Sequence, residues 1–231
     1  KENVNTLADA LNEYIIYGDK SDYKTELTDK ELIGLTISEL TGNINEAIKY
    51  AAEIHYSGTL PFEDVYQILS TSLPLVAGEK QTTSPVIKKT KEYTENTVYF
   101  ISNNDAQQSQ IYFYIPMGEY NKDLRVKRSA FNQYMSGGFS GLIMNEIREK
   151  NSMAYTAYGV VSTEGLPGCS TYFSGYLGTQ NDKAIDAIKL YMNLLTNMPE
   201  RSERIDNIKS YLRQAVLTSQ PDARSLSQQI A

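Results

Sequence analysis

Between Gln110 and Ile115 the side chains alternate in character. Ile111, Phe113 and Ile115 fall on one face of an extended chain, and Tyr112 and Tyr114 on the other. A strand of this kind must bury its apolar face, so the rest of the chain has to supply strands beside it and a layer to cover it. The stretches that follow meet both needs. Met153 to Ser162 and Ser170 to Leu177 read as two further strands, joined by the turn residues Glu164-Gly165-Leu166-Pro167-Gly168. Asp123 to Met135, a helix from Ser140 to about Lys150, Asp182 to Thr196 and Glu203 to Ser219 carry helical periodicity. The Asp182 helix is expected to turn Ile185, Ile188, Met192 and Leu195 inward, and the Glu203 helix Ile205, Ile208, Leu212 and Val216. The glycine pair Gly137-Gly138 ends the first of these helices, and Ser140 is the expected cap of the next.

The leading part of the chain reads differently. Helices are expected over residues 4–17, from a Thr28/Glu31 capping box, from Ser38 towards Tyr50, and from Pro61 to Leu73 with Val65, Ile68 and Leu69 inward. Short strands are expected at Glu53 to Ser57 and at Thr97 to Ile101. Ala77 to Thr94 is rich in Lys, Thr, Ser, Gly and Glu, has little periodicity, and reads as a linker. Strands and helices come in groups rather than in strict alternation. The expected fold class is therefore α+β, an antiparallel sheet with helices packed on one side.

Composition narrows function mainly by exclusion. A formal net charge of −6 argues against a general nucleic-acid surface. No apolar run is long enough to cross a bilayer. One cysteine, Cys169, rules out an intrachain disulfide framework, and no histidine lies near it in sequence to activate it. The single histidine, His55, cannot supply a zinc site that needs three protein ligands, so no metal is expected in this chain. The chain opens at Lys1 without methionine and is read as a piece of a longer polypeptide.

The stretch Ile143 to Gly159 carries the chemistry. A helix ends in Arg148 and Lys150, and a strand bearing Tyr155 follows. A fixed guanidinium and a phenol over one piece of surface suit a group that carries or develops negative charge. The competing reading is an arginine that answers a helix dipole and a core tyrosine with its hydroxyl satisfied.

These residues resemble the insulinase or pitrilysin zinc metallopeptidases, which include the mitochondrial processing peptidases. The resemblance rests on an ordered set: Gln107-Gln108-Ser109-Gln110-Ile111, Gly137-Gly138-Phe139-Ser140, Asn145-Glu146-Ile147-Arg148-Glu149-Lys150, Met153-Ala154-Tyr155 and Gly178-Thr179. Upstream, Ile54-His55-Tyr56-Ser57-Gly58 and Leu73-Pro74 resemble the segment that closes one domain of that family before a linker. Asn151-Ser152 departs from the family's usual turn. The resemblance implies the end of one repeat over residues 1–76, a linker over 77–94, and most of the next repeat over 95–231. It implies the C-terminal, zinc-free portion of a metallopeptidase, one wall of a peptide-enclosing chamber, not active alone. Zinc is then expected in a complementary domain of the same polypeptide or a partner subunit. Arg148 and Tyr155 would hold the substrate backbone and the developing oxyanion, and Gly137 and Gly138 would be structural. Peptides or unfolded proteins are the implied substrates, bound partly as an added strand on a sheet edge. The compartment and homo-oligomerisation stay open, the analogy with bacterial relatives pointing to the periplasm or cell envelope. Two alternatives stand beside this reading: a catalytically silent relative that acts as a scaffold or peptide-binding subunit, and an unrelated α+β protein-interaction module.

Overall fold

The computed structural model describes residues 4–50, 54–73, 86–103, 105–220 and 222–227. In chain order the helices are α1 (Val4–Tyr17), α2 (Asp22–Thr25), α3 (Asp29–Gly34), α4 (Ile37–Ala47), α5 (Phe62–Ser72), α6 (Arg125–Ser136), α7 (Ala184–Thr196) and α8 (Ile205–Thr218). The strands are β1 (Gln108–Glu119), β2 (Thr156–Thr163) and β3 (Ser170–Gln180). The chain divides into two compact units, one of Lys1–Thr25 with Ile87–Val216, the other of Glu26–Val86 with Leu217–Ala231. This division follows packing, whereas the boundaries expected at 76 and 95 concern family repeats.

The first unit is α+β, built on an antiparallel sheet of order β1-β3-β2. The alternation read from sequence sets its two faces. Ile111 pairs with Leu177, which pairs with Ala157; Ile115 pairs with Phe173, which pairs with Val161. Ile115 stays 42% exposed; the others, together with Met135, Leu142, Ile143, Ile147, Ala187, Tyr191 and Leu194, form the core, covered by α6, the turn after it and α7. The opposite face carries a row of tyrosines, Tyr112, Tyr176 and Tyr158, with neighbouring rings 5.3 and 5.4 Å apart. Burial, with Tyr172 and Tyr176 nearby, holds the Tyr17 and Tyr112 phenols above their ordinary value, Tyr112 at about 12. Helix α1 lies on this tyrosine side, since Tyr17 meets Tyr172 there and Asp9 lies near Tyr112 and Tyr158.

The face expected for α7 is corrected in part: Ile188 and Leu195 pack against the core as expected, and the other two residues do not. Ile185 and Met192 are exposed at 63% and 44%, and the buried residues are Ala187, Tyr191 and Leu194. In α8, Ile208 is buried as expected, but Ile205 and Val216 are exposed. The reason for the α7 phase lies in the sheet. Gly159 and Gly175 pair across β2 and β3, and a Cβ built on either would come within 2.5 Å of the Tyr191 hydroxyl. The two glycines open a notch that accepts the phenol. Its hydroxyl donates to the Tyr158 carbonyl at 2.7 Å, and its ring stacks on Phe113 with centroids 4.2 Å apart.

The outer edge of β2 is closed by α6. The Asn132 amide takes the N–H of Val161 at 2.7 Å and donates to its carbonyl at 3.0 Å. One turn on, the Ser136 hydroxyl does the same for Gly159, both contacts at 2.8 Å. Addition of a peptide strand is therefore shut off at these two positions of β2.

Among the described residues the two expected strands do not form; Glu53, the first residue of one, lies outside them. Residues 54–57 and 97–101 have no ladder partner, and Val98 and Phe100 are 89% and 85% exposed. The described part of the expected linker is anchored rather than loose. Lys91 N–H donates to Ile16 O at 2.7 Å and the Tyr93 hydroxyl to Ile15 O at 2.7 Å, so both satisfy carbonyls at the C-terminal end of α1. Lys91 Nζ then sits among the rings of Tyr14, Tyr93 and Tyr99, within 4.9–5.3 Å of each centroid, and bonds the Tyr99 hydroxyl at 2.7 Å. Residues 77–85 lie outside the described residues.

In the second unit the Thr28/Glu31 capping box forms at the start of α3. Helix α4 begins earlier than Ser38, because Thr36 makes a second capping box with Glu39. In α5, Val65 is buried but Ile68 is 52% exposed.

Candidate functional site

The site is assembled where the turn after α6 meets the end of β3. Gly137 and Gly138 make the break. A Cβ on Gly137 would come within 2.3 Å of the Gln133 carbonyl, and Gly138 has φ +64, so the chain reverses there at little steric cost. A short 3₁₀ turn over Gly138–Ser140 follows, in which Ser140 donates to Gly137 O instead of capping the next helix. That helix widens into a π-helical turn over Met144–Glu149, a form common at functional sites. Glu146 anchors the turn. It pairs with Arg201 and with Lys150, the latter at 2.9 Å. Lys150 is thereby committed to the scaffold, and the two basic residues of the cluster separate in role.

Arg148 points away from that anchor. Its side chain is 43% exposed, and its Nε lies 3.6 Å from Glu149. The chain then passes through Ser152, at φ 50 the non-glycine residue with a left-handed backbone among those described. Its return is fixed twice: the buried Thr179 hydroxyl donates to Met153 O at 2.5 Å, and Tyr155 N–H to Gly178 O at 2.9 Å. These bonds set Tyr155 at the mouth of β2, 49% exposed. Among the described residues its hydroxyl has no hydrogen-bond partner. The competing expectation of a core tyrosine with a satisfied hydroxyl does not describe it.

Arg148 and Tyr155 line one open cleft of about 380 Å³, together with Glu149, Ser152, Thr179 and Lys183 among others. Gly137 and Gly138 do not line it; they shape the turn that leads to it. Sequence reading named Arg148 and Tyr155 and missed Lys183, whose signal was its place four residues after Thr179, where strand gives way to helix. Cys169 is buried away from this cleft, with its thiol against Glu164.

The sequence profile of the family described as peptidase M16 inactive domain matches residues 40–212. The chain belongs to the peptidase M16 inactive-domain family. This sets aside the reading of an unrelated interaction module and places the chain on the zinc-free, C-terminal side of the insulinase-like metallopeptidases. A crystal structure of a peptidase M16 inactive domain from Pseudomonas fluorescens has the same fold, with a TM-score of 0.59 at 18% identity. The alignment covers 99% of this M16 chain and 54% of that one, so this chain spans about half the length of its structural relative. No curated protein matches.

The zinc associated with M16 peptidases finds no seat among the described residues. They contain no group of three or more His, Cys, Asp and Glu side chains placed to hold a metal ion. His55 lies in exposed, irregular backbone of the second unit. No described helix is long and apolar enough to cross a membrane.

Proposed function

We propose that this M16 chain is the zinc-free wall of a peptide-enclosing peptidase, and that Arg148 and Tyr155 are its contacts to the substrate backbone. The observation that carries this reading is their shared cleft, with the phenol hydroxyl unengaged and the guanidinium half exposed. A peptide carbonyl that enters the cleft meets two donors of different kinds. The guanidinium offers fixed, always-charged N–H groups, and the phenol a single O–H. Donors held by packing act most strongly on an oxygen that gains charge once water is excluded. The zinc-bearing domain would come from elsewhere in the polypeptide or from a partner subunit. Peptides or unfolded proteins are the substrates this arrangement suits.

Arg148→Ala and Tyr155→Phe, made in the complete enzyme, are expected to lower peptide turnover by about 10²-fold or more each. Metal content should stay unchanged, measured by atomic emission on the same samples. Wild-type turnover in both variants removes the assigned roles. A complete protein that binds peptide through Arg148 and Tyr155 yet shows no turnover at all favours the catalytically silent, peptide-binding reading.

A further inference from the structure

The cleft holds more positive charge than its own residues neutralise. Arg148 and Lys183 both line it, against one carboxylate, Glu149. Glu149 lies beside Arg148. Lys183 Nζ meets only a neutral group, the Ser152 carbonyl, at 3.4 Å, which is long for such a bond. Among the described residues Lys183 has no ion-pair partner.

The root of Lys183 is nonetheless fixed. It closes the 3₁₀ turn Asn181–Lys183 that leads into α7. Asn181 ties that turn down from both sides: its amide donates to Ala106 O at 2.9 Å, and its carbonyl oxygen accepts from the Ser109 hydroxyl at 2.9 Å. The result is an ammonium with an anchored stem, a weak internal contact and an open cleft in front of it.

We infer that Lys183 is a specificity residue that seats a carboxylate of the bound peptide, next to the backbone held by Arg148 and Tyr155. The inference rests on the peptide-holding reading above. Charge-assisted bonds to a carboxylate are stronger than the neutral contact to Ser152 O that Lys183 would give up. An ammonium is a point charge that does not require the planar fork geometry of a guanidinium. Two sources can therefore supply the group: an acidic side chain within the peptide, or the carboxylate at its C-terminal end.

Three fluorescein-labelled peptides of one sequence test this in the full polypeptide that carries the chain. The first is neutral, with Gln at the variable position and an amidated end. The second has Glu in place of Gln. The third keeps Gln and has a free C-terminal carboxylate. Fluorescence anisotropy should show one charged peptide binding about fivefold tighter than the neutral one, with a gain that shrinks as salt is raised. The peptide that gains identifies the source. Lys183→Gln should erase the gain and leave neutral-peptide affinity unchanged; Lys183→Arg should retain most of it. Equal affinity for all three peptides in the wild type overturns the inference, as does a gain that survives in Lys183→Gln. A uniform loss across the three peptides in Lys183→Gln also overturns it, because that marks a purely structural tie to Ser152. The neutral peptide probes the earlier reading separately through Arg148→Ala and Tyr155→Phe. If those variants bind it normally while Lys183→Gln erases the charge gain, the backbone roles fall and the carboxylate seat stands. If no peptide binds, both fall.

Discussion

At the scale of single residues, the notch that holds Tyr191 decides most about the sheet unit. Gly175 has no room for a methyl group, because the Tyr191 hydroxyl lies 2.3 Å from where its Cβ would be and Cζ 3.0 Å. Gly175→Ala is therefore expected to destabilise the fold by about 1–3 kcal/mol, the range for overpacking a closed core. Tyr191→Phe removes the bond to Tyr158 O from a fully buried position and should cost about 1–3 kcal/mol by itself. The two changes should be less than additive, since the atom that clashes most closely is the one Tyr191→Phe deletes. Urea denaturation of the two single variants and the double variant measures this. Strict additivity would falsify the notch. Burial holds the Tyr191 phenol above its usual value, so its stabilising contribution is full below the unfolded value and fades only as pH rises through the folded one. This residue also shows why half of the expected α7 face, Ile185 and Met192, was misread from sequence while Ile188 and Leu195 do meet the core. Periodicity pointed to Ile185, Ile188, Met192 and Leu195, all apolar at helical spacing. The buried face is set by a tyrosine whose fit depends on two glycines on separate strands, and no local pattern carries that information. Arg148 and Tyr155 were legible because they flank a short turn in sequence. Lys183 was not, because it reaches the cleft from beyond β3.

At the scale of elements, the sequence was most legible where one segment satisfies itself. The Thr28/Glu31 box, the 110–115 alternation, the 137–138 break and the hairpin glycines Gly165 and Gly168, with φ 78 and 83, all depend on near neighbours. The expected strands at 53–57 and 97–101 had suitable patterns, but among the described residues 54–57 and 97–101 find no ladder partner, and a strand exists only through its ladder. Tyr99 points into the tyrosine cluster around Lys91 while Val98 and Phe100 stay exposed, so the alternation was real and the pairing was absent. The capping boxes also give the second unit a defined acid response. In α4 the Glu39 carboxylate accepts from the Thr36 N–H and hydroxyl, each at 2.8 Å, and these bonds hold it below the usual carboxylate range. A lowered folded value means that the box contributes fully above the unfolded carboxylate value of roughly 4.3 and loses its effect as pH falls through the folded one. Glu31 in α3 follows the same rule. Glu39→Gln should flatten the response of α4 in that acid window while keeping most helix content at neutral pH. Residue-resolved amide chemical shifts of residues 37–47 between pH 6 and pH 2.5 would report it. An unchanged acid midpoint in Glu39→Gln shows that the box does not set it.

At the scale of the whole molecule, the two compact units differ in how much apolar surface they bury. The core cluster of Met135, Leu142, Ile143, Ile147, Leu177 and Tyr191 belongs to the sheet unit, and each of these side chains is fully buried. In the other unit Val65 is the buried apolar side chain among the described residues, while Ile33, Ile37, Ile44 and Phe62 are 86%, 85%, 61% and 74% exposed. Helices α3 and α4 thus hold their shape through capping boxes and local bonds, and α5 through local bonds without a side-chain N-cap, and such bonds by themselves stabilise short helices only weakly. Hydrogen exchange should separate the two units sharply. Amides of β1, β3 and α7 are expected to exchange through global opening and to be the slowest in the chain; those of α3 to α5 should exchange orders of magnitude faster through local fraying. Exposed apolar stripes of this extent need cover, and the M16 relative is nearly twice as long as this chain, with 54% of it aligned here. If the rest of an M16 assembly supplies that cover, its presence should slow exchange in residues 29–47 and 62–72 and leave the slow amides of the sheet nearly unchanged. Equal protection of both units in the isolated chain would show that α3 to α5 are stabilised from within. Unchanged exchange of α3 to α5 in the complete assembly would show that their apolar faces serve some other surface.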